Sequence, residues 1–160
     1  MSKRLQQKLV YEAPLADVAA MLADTAFREE VCRNQRATSY DVSIEGDATA
    51  RTVRIQMDQP TDKVPSFAKK IVGESTTIVQ TETWTSTERG DIHVSIPGKP
   101  GEMRGTATLV EKDGVTTETV DLEITVKIPL IAGKIEELLA KLLGSALRAE
   151  ERTGKAWLAR

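Results

Sequence analysis

Gln80, Glu82 and Trp84, spaced two apart on a stretch of alternating sequence, form the arrangement in this chain best suited to chemistry. If Ser75 to Ser86 is a strand, Ile78, Gln80, Glu82 and Trp84 share one face, and a carboxylate and an amide stand among apolar groups. Burying a lone carboxylate is costly, so Glu82 must be paired, solvated or protonated. On an inward face, Gln80 and Glu82 would orient the polar head of an otherwise apolar ligand, with Trp84 and Tyr40 as apolar wall. The opposite reading stays open, in which Val79 marks the reverse parity or Glu82 lies near an open sheet edge.

The remaining reactive residues do not combine. His93 is the single histidine; it lies between Ile92 and Val94, on the parity of Asp91 and Ser95, which turns it toward solvent and away from general-base work. Cys32 is the single cysteine, which rules out an internal disulfide or a multi-cysteine zinc site and suits a buried, inert thiol. No His, Cys or carboxylate cluster has metal-ligand spacing. Gly98 and Gly101 sit in a proline-rich turn and belong to no phosphate-binding loop. The sequence therefore assigns no catalytic residue, no metal ligand and no cofactor.

The chain has 160 residues, 40% hydrophobic and 29% charged, enough for one domain spanning 1–160. Its 22 basic and 24 acidic residues are interspersed with a net charge of -2, and aromatic residues make up 4%. Neither feature suits nucleic acid or an anionic membrane surface. The start lacks the apolar run of a secretory signal, and no segment approaches the roughly 20 apolar residues of a membrane span. A soluble cytoplasmic protein without stable membrane insertion is expected.

The positioning elements follow from periodicity. Residues 4 to 12 read as an opening strand with Leu5, Leu9 and Tyr11 on one side. Leu15 to Arg33 reads as two short helices broken and capped at Asp24-Thr25. Tyr40, Val42 and Ile44 then alternate with polar residues, Gly46-Asp47 turns the chain, and Val53, Ile55 and Met57 complete a hairpin. Further strands are Ser75 to Ser86, Asp91 to Ile96, Met103 to Glu111 and Val115 to Ile128, which makes seven. Between Gln59 and Gly73, Ser66 is placed to cap a short helix bearing Phe67, Ile71 and Val72. It serves either as an ordinary connection or as a lid.

Beyond Pro129 and Gly133 the period becomes helical almost to Arg160. Ile131, Ile135, Leu138, Leu139, Leu142, Ala146, Ala149, Thr153 and Trp157 fall on one face of a helix about 40 Å long. Lys134, Glu137, Lys141, Arg148, Arg152 and Lys155 lie opposite, and Gly144 projects to that polar side without an evident reason.

A strand, two short helices, six more antiparallel strands and a long terminal helix is an order that resembles the START-like helix-grip superfamily, which includes lipid-transfer domains, Bet v 1-like proteins and polyketide cyclases. Val64-Pro65-Ser66-Phe67-Ala68-Lys69-Lys70-Ile71-Val72-Gly73, Glu82-Thr83-Trp84, Ile96-Pro97-Gly98-Lys99-Pro100 and Ile128-Pro129-Leu130-Ile131-Ala132-Gly133-Lys134-Ile135-Glu136 resemble segments of an uncharacterised bacterial branch. The resemblance implies an α+β fold in which a curved seven-stranded antiparallel sheet grips the helix, and a ligand site between them entered beside the lid. It carries no catalytic motif.

The expected function is binding or transport of a small hydrophobic or amphipathic molecule, such as a lipid, an isoprenoid or a polyketide-like compound. Tyr40, Val42, Val53, Ile55, Met57, Ile78, Trp84 and Val94 would line its site from the sheet, with Gln80 and Glu82 for orientation. Phe67 and Ile71 on the lid, with Leu138 and Leu142 on the helix, would control entry or contact the ligand. A cyclase, aromatase or hydrolase using the same cavity, with Glu82 or Tyr40 exchanging protons, is the alternative. A protein-interaction module with an unspecified partner is the third reading.

Overall fold

A computed structural model describes residues 2–160. In chain order the elements are β1 (Ser2–Tyr11), α1 (Leu15–Leu22), α2 (Thr25–Asn34), β2 (Ser39–Gly46), β3 (Arg51–Pro60), α3 (Ser66–Val72), β4 (Ser75–Trp84), β5 (Arg89–Ser95), β6 (Gly101–Lys112), β7 (Val115–Val126) and α4 (Ala132–Leu158). The strands form one antiparallel sheet in the order β1-β7-β6-β5-β4-β3-β2. β1 and β2 are thus its two edges, and α1 and α2 carry the chain from one edge to the other.

Turn chemistry sets the register locally. Asp113 and Gly114 both have positive φ, 54° and 79°, the requirement of a two-residue turn whose twist matches the flanking strands. At the β2–β3 turn, Gly46 has φ 109° and the Asp47 carboxylate accepts from the Thr49 and Ala50 amides. With register fixed, parity decides the faces. β7 alternates buried with half-buried or exposed residues along its length, and β3 does so from Arg51 to Met57.

The helices depart from sequence expectation in informative ways. α2 is capped by Asp24, whose side chain accepts from the Ala26 amide at 2.9 Å, as the Asp24-Thr25 break predicts. Ser66 does not cap α3; it is the first helical residue, and Pro65 precedes it with no side-chain cap. α4 is turned by roughly one residue's 100° from the face that its large apolar residues define. Its buried set is Ile135, Glu136, Ala140, Gly144, Leu147, Ala149, Glu150, Thr153 and Gly154.

The reason for that turn is close approach. α4 packs mainly on β1 and β7 and on α1 and α2. Small residues seat it there: a Cβ on Gly154 would lie 2.5 Å from Tyr11 Cε1, and one on Gly144 would lie 3.4 Å from Gln7 Oε1. Gly144 therefore faces β1 and is buried, correcting its assignment to the polar side. Asn34 and Gln35, at the end of α2, bond Thr153 Oγ1 and the Ala146 carbonyl, and Phe27 meets Trp157 edge to face at 5.5 Å.

Candidate functional site

Cross-strand register places the polar pair of β4 in the middle of the concave face. Glu82 stands opposite Val53 on β3 and Ile92 on β5, and Gln80 opposite Ile55 and Val94. The parity is therefore inward for Ile78, Gln80, Glu82 and Trp84. Glu82 is neither unpaired nor at an edge: Arg28 of α2 grips it through Nη1 to Oε2 at 2.9 Å and Nη2 to Oε1 at 2.8 Å. Trp84 Nε1 donates to Oε1 at 2.8 Å and Gln80 Nε2 to Oε2 at 2.6 Å, while Arg28 Nε donates to the Leu22 carbonyl.

Burial alone would raise the Glu82 pKa, but the Arg28 charge and these donors more than offset it, so the carboxylate titrates below its ordinary value. Burial likewise opposes the Arg28 charge, and Glu82 and Glu150 outweigh it. Glu82 is thus a fixed anion at neutral pH with its lone pairs largely occupied. That makes it an unsuitable base.

Four further polar residues complete the interior, and the sequence reading passed over their roles. Arg51 lies over the Trp84 ring at 4.3 Å. On the ring's other contact stands Gly90, where a Cβ would lie 2.5 Å from Trp84 Cδ2. Arg51 Nη1 donates to the Ala48 carbonyl, and burial with the nearby Arg28 charge lowers its pKa to about 10. Glu118 of β7 and Glu150 of α4 are both buried. Burial and the Glu150 charge raise the Glu118 carboxyl well above its ordinary value, while burial, opposed by Arg28 and aided by the Glu82 charge, raises Glu150 to about 7. Tyr11 is fully buried beside them and its hydroxyl is held protonated by burial and by Glu118.

Two of these residues carried a readable signal. Glu118 shares parity with Val120, Leu122 and Ile124, and Arg51 with Val53, Ile55 and Met57, so each is a charge on an apolar face. Arg28 sits beside Phe27 and one turn before Val31 and Cys32, a weaker signal, and Glu150 had none.

The apolar candidates divide by depth. Val53, Ile55, Met57, Trp84 and Val94 are buried; Tyr40, Val42, Ile71, Ile78, Gln80 and Leu138 are half-buried; Phe67 and Leu142 are 38% and 44% exposed. Tyr40, Val42, Val53, Ile55, Met57 and Ile78 form one cluster, while Ile71 and Leu138 belong to another with Ala68, Val126 and Ile135. Trp84 and Val94 belong to the largest cluster, under α1, α2 and α4. These three clusters touch through Ile78 and Leu139, both only partly buried. Tyr40 is tethered at its hydroxyl by Arg33 Nη1 at 2.9 Å, and Lys134 Nζ stands 5.4 Å over the Phe67 ring, joining α3 to α4.

Elsewhere, Cys32 is buried with its thiol pKa raised to about 11 by desolvation, the state of an unreactive thiol. His93 is half-buried and bonds Glu102 at 3.0 Å. Two shallow depressions mark the outer surface: one of about 290 Å³ between α1 and the end of α4, and one of about 330 Å³ on the convex face beside His93 and Arg104. Neither lies between the sheet and α4. Among the described residues, no group of three or more His, Cys, Asp or Glu is placed to hold a metal, and no helix is long and apolar enough to cross a membrane.

This topology, a seven-stranded antiparallel sheet wrapped against a long terminal helix, is the helix-grip fold. It is shared with a START superfamily protein of Mycobacterium smegmatis (TM-score 0.61, 14% identity, 96% of this chain and 98% of that one). The di-domain ARO/CYC BexL of the BE-7585A biosynthetic pathway also superposes, with TM-score 0.68 and 17% identity over 97% of this chain and 49% of its own. By sequence the chain belongs to the family described as protein of unknown function DUF2505, whose model matches residues 6–158. An uncharacterised protein of Mycobacterium tuberculosis is 27% identical over 132 residues, 76% of this chain and 75% of that protein.

Proposed function

We propose that the protein binds a small hydrophobic or amphipathic molecule between the concave face of the sheet, α3 and the first half of α4. One observation carries this reading. Small residues seat α4 on β1, which leaves Leu138 and Leu142 short of full burial, while Tyr40, Val42 and Ile78 on the sheet are also only half-buried. Apolar side chains left half-exposed are unspent driving force, at roughly 25 cal/mol per Å² of apolar surface removed from water. A guest inserted where the three clusters meet would cover them.

Gln80, the half-buried polar residue on that face, stands where the apolar region gives way to Glu82 and Arg28. It is placed to contact a ligand's polar portion. Entry proceeds by parting α3 from α4, whose link at Lys134 and Phe67 is exposed and therefore weak. START and ARO/CYC neighbours support the reading at the level of fold.

The test is fluorescence titration with the neutral apolar probe N-phenyl-1-naphthylamine, alongside native mass spectrometry of the purified protein. Saturable binding is expected, and Val42→Trp, which places a large ring among the half-buried apolar side chains of that face, should weaken it about tenfold or more, worth about 1.4 kcal/mol. Absence of saturable binding by the wild type, or equal binding by that variant, removes the proposal.

A further inference from the structure

Charge is unevenly spread over this molecule. The chain carries a net charge of -2, yet six of its eleven lysines, Lys63, Lys69, Lys70, Lys99, Lys127 and Lys134, fall in three short segments, 61–74, 97–100 and 127–137. The fold gathers those segments at one end. The Lys127 amide donates to the Pro100 carbonyl at 2.8 Å, Lys134 Nζ stands 5.4 Å over the Phe67 ring, and Ala68, Ile71, Ile128 and Ile135 pack in one cluster beneath. All six lysines are exposed except Lys69, which is half-buried. The exposed acids of the same segments are Asp62, Glu74 and Glu137, because Glu136 is buried and accepts from the Val126 amide. This end is therefore basic on a chain that is acidic overall.

Two large apolar side chains stand among these lysines. Phe67 is 38% exposed and Leu130 wholly so. Leu130 also has φ 72°, a left-handed conformation that a bulky residue other than glycine rarely adopts. Such backbone strain clusters where the position it gives a side chain is used. Here it holds an apolar group out in solvent between Lys127 and Lys134.

We propose that this end docks on the surface of an anionic lipid bilayer, with Leu130 and Phe67 entering the headgroup layer and the lysines meeting lipid phosphates. Lysine stems lie along apolar surface while their ammonium groups stay at the polar boundary, which is the arrangement of an interfacial anchor. Residue type selects lipid over an acidic protein. The chain has as many arginines as lysines, yet these three segments contain no arginine. Protein interfaces favour arginine and disfavour lysine, whereas a diffuse layer of headgroups requires only point charges.

The docking stands on this surface alone, while its role in loading the cavity rests on the ligand-binding reading above. Lys134 and Phe67 link α4 to α3 across the entrance. A bilayer offers both of them other partners, phosphates for Lys134 and acyl chains for Phe67. Contact with it thus loosens the entrance at the place where a ligand would leave the lipid.

The experiment is cosedimentation with vesicles of phosphatidylcholine, alone or mixed equally with phosphatidylglycerol, at low and high salt. The wild type should pellet with the mixed vesicles at low salt and be released by high salt or by omission of phosphatidylglycerol. Lys63→Gln/Lys70→Gln/Lys99→Gln should weaken binding about tenfold or more. Lys8→Gln/Lys112→Gln/Lys155→Gln, an equal loss of charge at exposed positions away from this end, should change it by less than about twofold. Leu130→Asn should weaken it severalfold without lowering the melting temperature, because asparagine tolerates the left-handed conformation.

A wild type that ignores the mixed vesicles, equal losses in the two triple variants, or undiminished binding by Leu130→Asn would each overturn the docking. Binding of soluble polyglutamate in place of vesicles, lost in the first triple variant, would assign these lysines to an acidic protein and overturn it as well. Titration with N-phenyl-1-naphthylamine in the absence of vesicles separates the two readings. Probe binding without vesicle binding removes the docking alone, and vesicle binding without probe binding upholds the docking and removes the cavity.

Discussion

Arg28 and Glu82 are joined by two parallel hydrogen bonds of 2.9 and 2.8 Å, with both side chains only 3% exposed, so α2 is fastened to β4 across the interior between residues 54 apart in sequence. The geometry is the planar fork in which an arginine matches a carboxylate at both oxygens. Because Gln80 and Trp84 share the same carboxylate, the pair also fixes the side chains at the transition between apolar and polar interior.

Breaking this pair from one side should be far worse than removing it from both. Arg28→Met leaves Glu82 charged and buried, and a loss of about 3–5 kcal/mol is expected. The double variant Arg28→Met/Glu82→Gln should recover a substantial part of that loss. Urea unfolding monitored by tryptophan fluorescence measures both; equal destabilisation of the single and double variants would contradict the buried-charge account.

Stability should decline as pH rises through neutrality. Glu150 binds its proton up to about 7 in the folded protein against about 4.5 ordinarily, and Glu118 shifts in the same sense. The folded state thus holds protons that the unfolded chain releases, and this stabilisation is complete below about 4.5 and lost as pH passes through 7. Glu82 acts oppositely, because its lowered pKa supplies stability that disappears only in acid. The unfolding free energy should fall by on the order of 3 kcal/mol between pH 5 and pH 8 in urea titrations, and Glu150→Gln should flatten the slope. A flat wild-type profile would refute this.

Two glycines should respond oppositely to alanine. Gly90 lies against the Trp84 ring, where an added Cβ would sit 2.5 Å from Cδ2, whereas nothing lies within 4 Å of one added at Gly133 in the first turn of α4. Gly90→Ala is expected to destabilise by about 1–3 kcal/mol through overpacking. Gly133→Ala should stabilise by up to about 1 kcal/mol through helix propensity. Thermal melts of the two variants decide the matter.

Leu142 and Leu147 are close on α4 but differ in burial, 44% and 8% exposed. Leu147→Ala should lower stability by about 2–5 kcal/mol. Leu142→Ala should cost less than about 1 kcal/mol at its exposed site, while reducing affinity for N-phenyl-1-naphthylamine by severalfold. Unchanged probe affinity in the Leu142 variant would place that side chain outside the binding surface.

Much of this architecture was legible in the chain. Alternation at Val120, Leu122, Ile124 and Val126, turn signals at Gly46-Asp47 and Asp113-Gly114, and the helical period after Pro129 determine the seven strands and the long helix, because each depends on contacts between near neighbours. That Gln80, Glu82 and Trp84 share one face was visible for the same reason, but Val79 left open whether that face turns inward, which the partners across the sheet decide. Tertiary structure decided which way α4 turns, since backbone approach at Gly144 and Gly154 overrules the larger apolar area of Leu138 and Leu142. It also decided Glu82's partner and the company of Arg51, Glu118 and Glu150. Buried charges select partners by distance in space, and local periodicity holds no record of separations that arise only when α2, β3, β7 and α4 close around one interior.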